Sequence, residues 1–195
     1  MVCQGLIHVY TGNGKGKTTA AIGLAIRALG AGKRVMFLQF MKMPTYSEHK
    51  MLSALSPNLT LECVGKPFFV IKEGTVPAEE LAKWKDKAVV FPPGKPPQDY
   101  LEQVAQGLAR AKELVSQGDY DVVILDELNV ALYFELVTWP QVEELLEAKA
   151  SHVELILTGR GATPALIERA DLVTEMCEIK HYYTQGVPAR KGIDC

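Results

Sequence analysis

A chain of 195 residues is about one domain at roughly 150 residues per domain, long enough to bury a core without disulfide or metal staples. Hydrophobic residues at 48% and charged residues at 23% exclude a disordered tail, and 16 Gly with 11 Pro are too few for a fibrous repeat. A net charge of −2 excludes a chain built as a whole to bind polyanions, and no uncharged apolar run reaches the ~18 residues of a membrane helix.

The opening Met1-Val2-Cys3-Gln4-Gly5 lacks the basic, apolar pattern of a secretion signal. The first predicted element is a strand over Leu6–Tyr10, bounded by Gly5 and Gly12. A helix over Thr18–Ala31 follows, small and apolar all round and therefore expected to be well buried, with Gly30 and Gly32 ending it. Strands are predicted over Arg34–Phe40 and Leu59–Val64. The stretch Gly65–Gln98 then breaks the rhythm with Pro67, Pro77, Pro92, Pro93, Pro96 and Pro97, and reads as an irregular lid or insertion with one helical piece around Ala78–Lys87. Apolar residues at Leu101, Val104, Ala105, Leu108, Ala111 and Val115 predict a helix over Tyr100–Gln117, stopped by Gly118. Asp121–Asp126 is a buried strand, Pro140–Ala150 a helix, and Val153–Thr158 and Leu172–Met176 complete about six strands. This alternation predicts an α/β fold with a mostly parallel sheet and helices on both faces.

Four cysteines (Cys3, Cys63, Cys177, Cys195) form no Cys-x-x-Cys pair, which fits a cytoplasmic chain. Four histidines with no i, i+4 pair argue against structural zinc.

The chemistry concentrates after the first strand, in Thr11-Gly12-Asn13-Gly14-Lys15-Gly16-Lys17-Thr18-Thr19. Three glycines let backbone N–H groups close around an anion, Lys17 brings a point charge, and Thr18 offers a hydroxyl to Mg²⁺ while opening a helix whose N-terminus favours phosphate. Val122-Val123-Ile124-Leu125-Asp126-Glu127 is the matching metal-side strand. Asp126 and Glu127 point opposite ways there, and either could face the metal. Thr158-Gly159-Arg160-Gly161 lies past another buried strand on the same sheet edge, where Arg160 could grip phosphate. Gln39-Phe40-Met41-Lys42 ends the second strand at that edge too.

These blocks, together with Leu125-Asp126-Glu127-Leu128-Asn129, Ala170-Asp171-Leu172-Val173-Thr174-Glu175-Met176 and Lys191-Gly192-Ile193-Asp194, resemble the P-loop corrinoid adenosyltransferases (ATP:cob(I)alamin adenosyltransferases). The resemblance runs in family order from residue 6 to the end and leaves out Gly65–Gln98. It implies a RecA-like P-loop NTPase fold in one domain over 1–195, with the lid or insertion at 65–98. The implied reaction transfers the 5′-deoxyadenosyl group of ATP to the cobalt of a reduced Co(I) corrinoid and releases triphosphate, in adenosylcobalamin biosynthesis or salvage. No catalytic residue is implied, because the corrinoid is itself the nucleophile. Family members bind ATP with the phosphate chain reversed, exposing C5′.

Carried over by position, Gly12, Asn13, Gly14, Lys15, Gly16, Lys17, Thr18 and Thr19 would hold the triphosphate, with Arg160 as a further contact. Thr18 and Glu127 would ligate Mg²⁺, with Asp126 behind them. The resemblance also implies a homodimer and leaves a reductase or flavodoxin-type electron donor as an open partner, with no nucleic acid and no membrane. The family's Phe-x-Trp, which presses on the corrinoid, falls at Phe69-Val70-Ile71, with Ile71 in the tryptophan's place. Phe68, Phe69, Trp84 and Phe91 are therefore either corrinoid-facing or core. The first strand starts early, without the N-terminal extension that covers the site in many relatives. Two rivals are a P-loop ATPase or kinase acting at the γ-phosphate and a nucleic-acid-binding RecA-like module.

Overall fold

The computed structural model describes residues 4–76, 81 and 88–194. Its strands are β1 (Ile7–Thr11), β2 (Val35–Phe40), β3 (Leu59–Val64), β4 (Phe69–Lys72), β5 (Ala88–Phe91), β6 (Val122–Asp126), β7 (Glu154–Thr158) and β8 (Leu172–Glu175). Helices α1 (Lys17–Gly30), α2 (Ser47–Leu55), α3 (Gln98–Gln117), α4 (Leu128–Tyr133), α5 (Trp139–Ala148) and α6 (Pro164–Arg169) alternate with them.

Six strands form one parallel sheet in the order β3-β2-β6-β7-β1-β8. The central strands are apolar throughout because both their faces are covered. Along β2, Val35 and Phe37 join the core under α1 and α2. Met36, Leu38 and Phe40 join the opposite core under α3 and α5. Along β6, Val122 and Ile124 face one way, Val123 and Leu125 the other. All these strands end at one edge, so Thr11, Gln39, Asp126 and Thr158 arrive side by side. The sheet places β7 between β1 and β6, which brings Thr158 between the glycine-rich loop and Asp126.

Two expectations need correction. Helix α1 is buried along one stripe only, Ala21, Ala25 and Ala28; its other side is open, and Ile26 is 51% exposed. It covers one face of the sheet and nothing covers its back among the described residues; its alanines allow close approach to the strands. The segment 65–98 is not wholly irregular, because β4 and β5 pair in parallel as a separate two-stranded sheet. Val70 and Phe91 bury its inner side, while Val89 and Val90 stay exposed. The helical piece expected around Ala78–Lys87 lies outside the described residues, apart from Leu81. The small sheet is anchored by ion pairs, Lys66 with Asp99 and Lys72 Nζ with Glu135 Oε1 at 2.8 Å. Glu135 Oε2 also accepts from the Gly94 N–H at 3.1 Å.

Candidate functional site

The glycine-rich loop Gly12–Gly16 leaves β1 and folds back against the segment after β8. Gly12 has φ 96°, and a Cβ there would stand 2.4 Å from the Met176 carbonyl oxygen, so no other residue fits without moving backbone. The Gly14 N–H donates to that same carbonyl at 2.6 Å. Helix α1 begins at Lys17 with Gly16 as its cap and no side chain accepting from its first turn. The orphan N–H groups and helix dipole there make an anion-binding end. Lys17 Nζ donates to the Gly12 and Gly14 carbonyls, both at 2.7 Å, which holds its ammonium at the mouth of the loop. Burial pushes the Lys17 pKa below its ordinary value; Arg160 adds to that push, and Glu127 and Asp126 oppose it.

Asn13, Lys15 and Thr19 are exposed. The Lys15 side chain turns away from the loop's mouth toward the C-terminal segment: its Nζ donates to the Ile193 carbonyl at 2.8 Å and stands 3.5 Å from Asp194 Oδ1. Asp194 is held by Tyr182 and Arg190, which keep its carboxyl well below the ordinary range.

At the centre of the edge, Asp126 is fully buried and accepts four hydrogen bonds. Thr18 Oγ1 (2.9 Å) and Thr158 Oγ1 (2.5 Å) donate to its Oδ1; Gln39 Nε2 and Lys42 Nζ, both at 2.8 Å, donate to its Oδ2. Burial alone would raise its pKa, but Lys42 and these donors hold it below the ordinary value. Gln39 is oriented in turn by His49. The Tyr46 N–H donates to His49 Nδ1 at 3.1 Å, which leaves His49 Nε2 to donate to Gln39 Oε1 at 2.5 Å. Burial lowers the His49 pKa, in keeping with a neutral ring.

Glu127 behaves differently. It sits at φ 63°, just past the strand, with its N–H donating to Thr158 Oγ1 at 3.1 Å, and its side chain lines a cavity. Burial, then the neighbouring Asp126 charge, raises its pKa. The two acids that sequence could not tell apart are thus separated: Asp126 is saturated with donors, and Glu127 faces open space.

That cavity, of about 310 Å³, lies between the edge and the small sheet. Lys42, Glu127 and Arg160 form its polar end, and Phe69, Val70, Ile71, Val130 and Phe134 its apolar end. Of the aromatic candidates, Phe69 is 40% exposed at this cavity. Phe91 is core, packed edge-on to Phe134 at 6.2 Å, because its strand turns that position inward. Phe68 packs on Tyr100 at 5.9 Å. Trp84 lies outside the described residues. Tyr100, which sequence did not single out, also lines the cavity; burial pushes its pKa up to about 12, and its hydroxyl has no partner among the described residues. Asn129 was legible only as part of a motif. It is buried, and its Nδ2 donates to the Gly159 carbonyl at 3.1 Å, fixing the turn that carries Arg160.

A parallel sheet whose edge carries a glycine-rich loop, a helix N-terminus and a buried Thr–Asp pair defines a P-loop nucleotide-binding protein. Over residues 3–195 the chain matches the family model described as ATP:corrinoid adenosyltransferase BtuR/CobO/CobP. It belongs to that family, whose members are transferases. The corrinoid adenosyltransferase of Pseudomonas aeruginosa is 31% identical over 195 residues, an alignment covering 98% of this chain and 84% of that one. The enzyme of the same description from Escherichia coli is 34% identical over 191 residues, covering 98% and 86%. One from Salmonella typhimurium is 31% identical over 193 residues, with the same coverage. Neither rival reading is favoured by these matches. No helix among the described residues is long and apolar enough to cross a membrane.

Proposed function

We propose that the chain transfers the 5′-deoxyadenosyl group of ATP to the cobalt of a Co(I) corrinoid, with triphosphate as the leaving group. The observation that carries this reading is the cavity adjoining the phosphate loop. Its polar end is shared with the sheet edge, and its apolar end is walled by Phe69 and Ile71, the positions matching the family's corrinoid-pressing pair. A chain of three phosphates laid along Gly12–Thr19 with C5′ toward that cavity would meet a nucleophile seated there. Reaction at C5′ needs no general base, so the protein's work is positioning and charge.

The hard oxygen donors of Thr18 and Glu127 fit a Mg²⁺ ion, which when bound would neutralise phosphate charge. Asp126 suits a supporting part, because all four of its acceptor positions are taken and it holds the Thr18 hydroxyl in place. Arg160, fixed by the Asn129–Gly159 bond, is a further phosphate contact. Among the described candidates Phe68, Phe69 and Phe91, Phe69 is the one in position to press on a corrinoid face. The segment 65–98 acts as a lid on one P-loop domain. A homodimer, a reductase or flavodoxin-type electron donor and a cytoplasmic setting belong to the same reading, carried by the resemblance.

Phosphorus NMR of a reaction with Co(I) corrinoid tests the proposal. Triphosphate should form in step with a light-sensitive Co–C product, and ATP alone should be hydrolysed slowly or not at all. ADP and phosphate accumulating with turnover would replace this reading with an ATPase.

A further inference from the structure

One largely buried cation has no chemical role in the account above beyond its bond to Asp126 and its place in the cavity wall. Lys42 stands two residues past β2, and the backbone is bent to place it. Met41 lies at φ 59°, in the left-handed region, with its N–H donating to the Val64 carbonyl at 2.6 Å. Gly65 packs against the bend so closely that a Cβ would fall 2.4 Å from the Lys42 nitrogen. The ammonium ends 2.8 Å from Asp126 Oδ2, 3.4 Å from Thr18 Oγ1 and 5.5 Å over the Tyr46 ring, with 14% of the side chain exposed. It also lines the cavity beside Glu127 and Arg160.

Stability does not account for this arrangement. A buried ion pair is often no better than a well-packed apolar pair, and strain at Met41 adds a cost. Location does account for it. Lys42 reaches both the Thr18 hydroxyl, where a P-loop gathers phosphate and metal, and the cavity, where the reacting carbon would sit. Lys17, bonded to loop carbonyls, does not line the cavity.

We propose that Lys42 is a catalytic residue that grips the triphosphate of ATP at its α-phosphate end and stabilises it as a leaving group. This inference rests on the adenosyl-transfer reading. In that step the Co(I) electron pair forms the Co–C5′ bond, the C5′–O bond breaks, and its electron pair stays on the triphosphate oxygen. Cobalt is formally oxidised to Co(III), and no proton is transferred. Negative charge grows at the α-phosphate, on the cavity side. A lysine stem of four carbons can swing its ammonium there without moving backbone. Asp126 is not orphaned by the move, because Thr18, Thr158 and Gln39 still donate to it.

The test uses the full chain and inorganic tripolyphosphate, titrated calorimetrically with and without Mg²⁺, beside steady-state turnover with ATP and Co(I) corrinoid. Lys42→Met should bind tripolyphosphate at least tenfold more weakly and lose about 10²–10³ in kcat, with the corrinoid KM unchanged. Lys42→Arg should recover most of the tripolyphosphate affinity. If the methionine variant does not fold, Lys42→Gln, which keeps a donor for Asp126, takes the same measurements. Wild-type tripolyphosphate affinity and kcat in either folded variant would overturn the proposal, as would a loss of kcat with tripolyphosphate affinity intact. A wild-type protein that makes no Co–C bond would sink the adenosyl-transfer reading instead, because tripolyphosphate binding is read without corrinoid.

Discussion

The carboxyl edge of the main sheet and the small β4–β5 sheet face each other across one cavity, and they are built on opposite principles. At the edge, polar groups are buried and heavily bonded: Asp126 takes four donors, and Gln39 is fixed by His49 from behind. The small sheet has a thin core, two exposed valines and polar ties to the body at its ends. Charge has to be held in a defined place to act on phosphate, whereas an apolar wall has only to cover a surface. The contrast separates a part that does electrostatic work from a part that shapes and covers.

The largest effect should come from the edge. Lys17→Ala removes a half-buried ammonium beside the loop carbonyls and should cut turnover by about 10²–10³, with ATP affinity falling in calorimetry. Wild-type turnover with unchanged ATP affinity would remove the loop from the site. Next, the small sheet should divide in two. Phe91→Ala, in the core, should cost about 3–5 kcal/mol in a urea melt. Phe69→Ala, 40% exposed, should change stability by less than about 1 kcal/mol, spare ATP affinity and weaken the response to corrinoid. Equal destabilisation by the two would mean that Phe69 is also core.

Gln39→Leu sharpens the comparison at the edge. It removes one donor from Asp126 and leaves His49 Nε2 without its acceptor, so Mg²⁺-dependent ATP binding should weaken roughly 10-fold or more, as for groups that orient metal ligands. The smallest effect concerns pH. Asp194 is held below the ordinary carboxylate range, first by the Tyr182 hydroxyl and then by Arg190. A depressed carboxyl stabilises its folded contacts above its unfolded value of about 3.9, and loses that contribution only as pH falls below it. Proteolysis of the C-terminal segment should therefore be flat from about pH 5 to 8 and rise only in stronger acid. Release near neutral pH would disconnect the tail from this carboxyl.

Much of the edge was legible because its signals are local. The glycine spacing with Lys17-Thr18, and the apolar run ending at Asp126, each declare a strand end with a polar tip. What was not legible depends on register between distant strands. That Thr158 would bond Asp126, or that His49 would orient Gln39, follows from the side-by-side arrival of β2, β6 and β7 and leaves no trace in spacing. Helix α2 escaped notice because only His49 and Leu52 are buried along it, too few for a periodic stripe. Strands β4 and β5 are four residues each, and the prolines around them hid two short β-branched runs. The uniform apolar look of α1 misled in the other direction: it suggested burial, whereas the helix has only one covered face and Ile26 stands exposed.

Glu135 has a further consequence. With φ 61°, it offers one oxygen to Lys72 at the end of β4 and the other to Gly94 just after β5. One carboxylate thereby ties the carboxyl ends of both parallel strands to the body at a single point. Removing that one carboxylate would release both strand ends together, so this wall of the cavity is held, or lost, as a single piece.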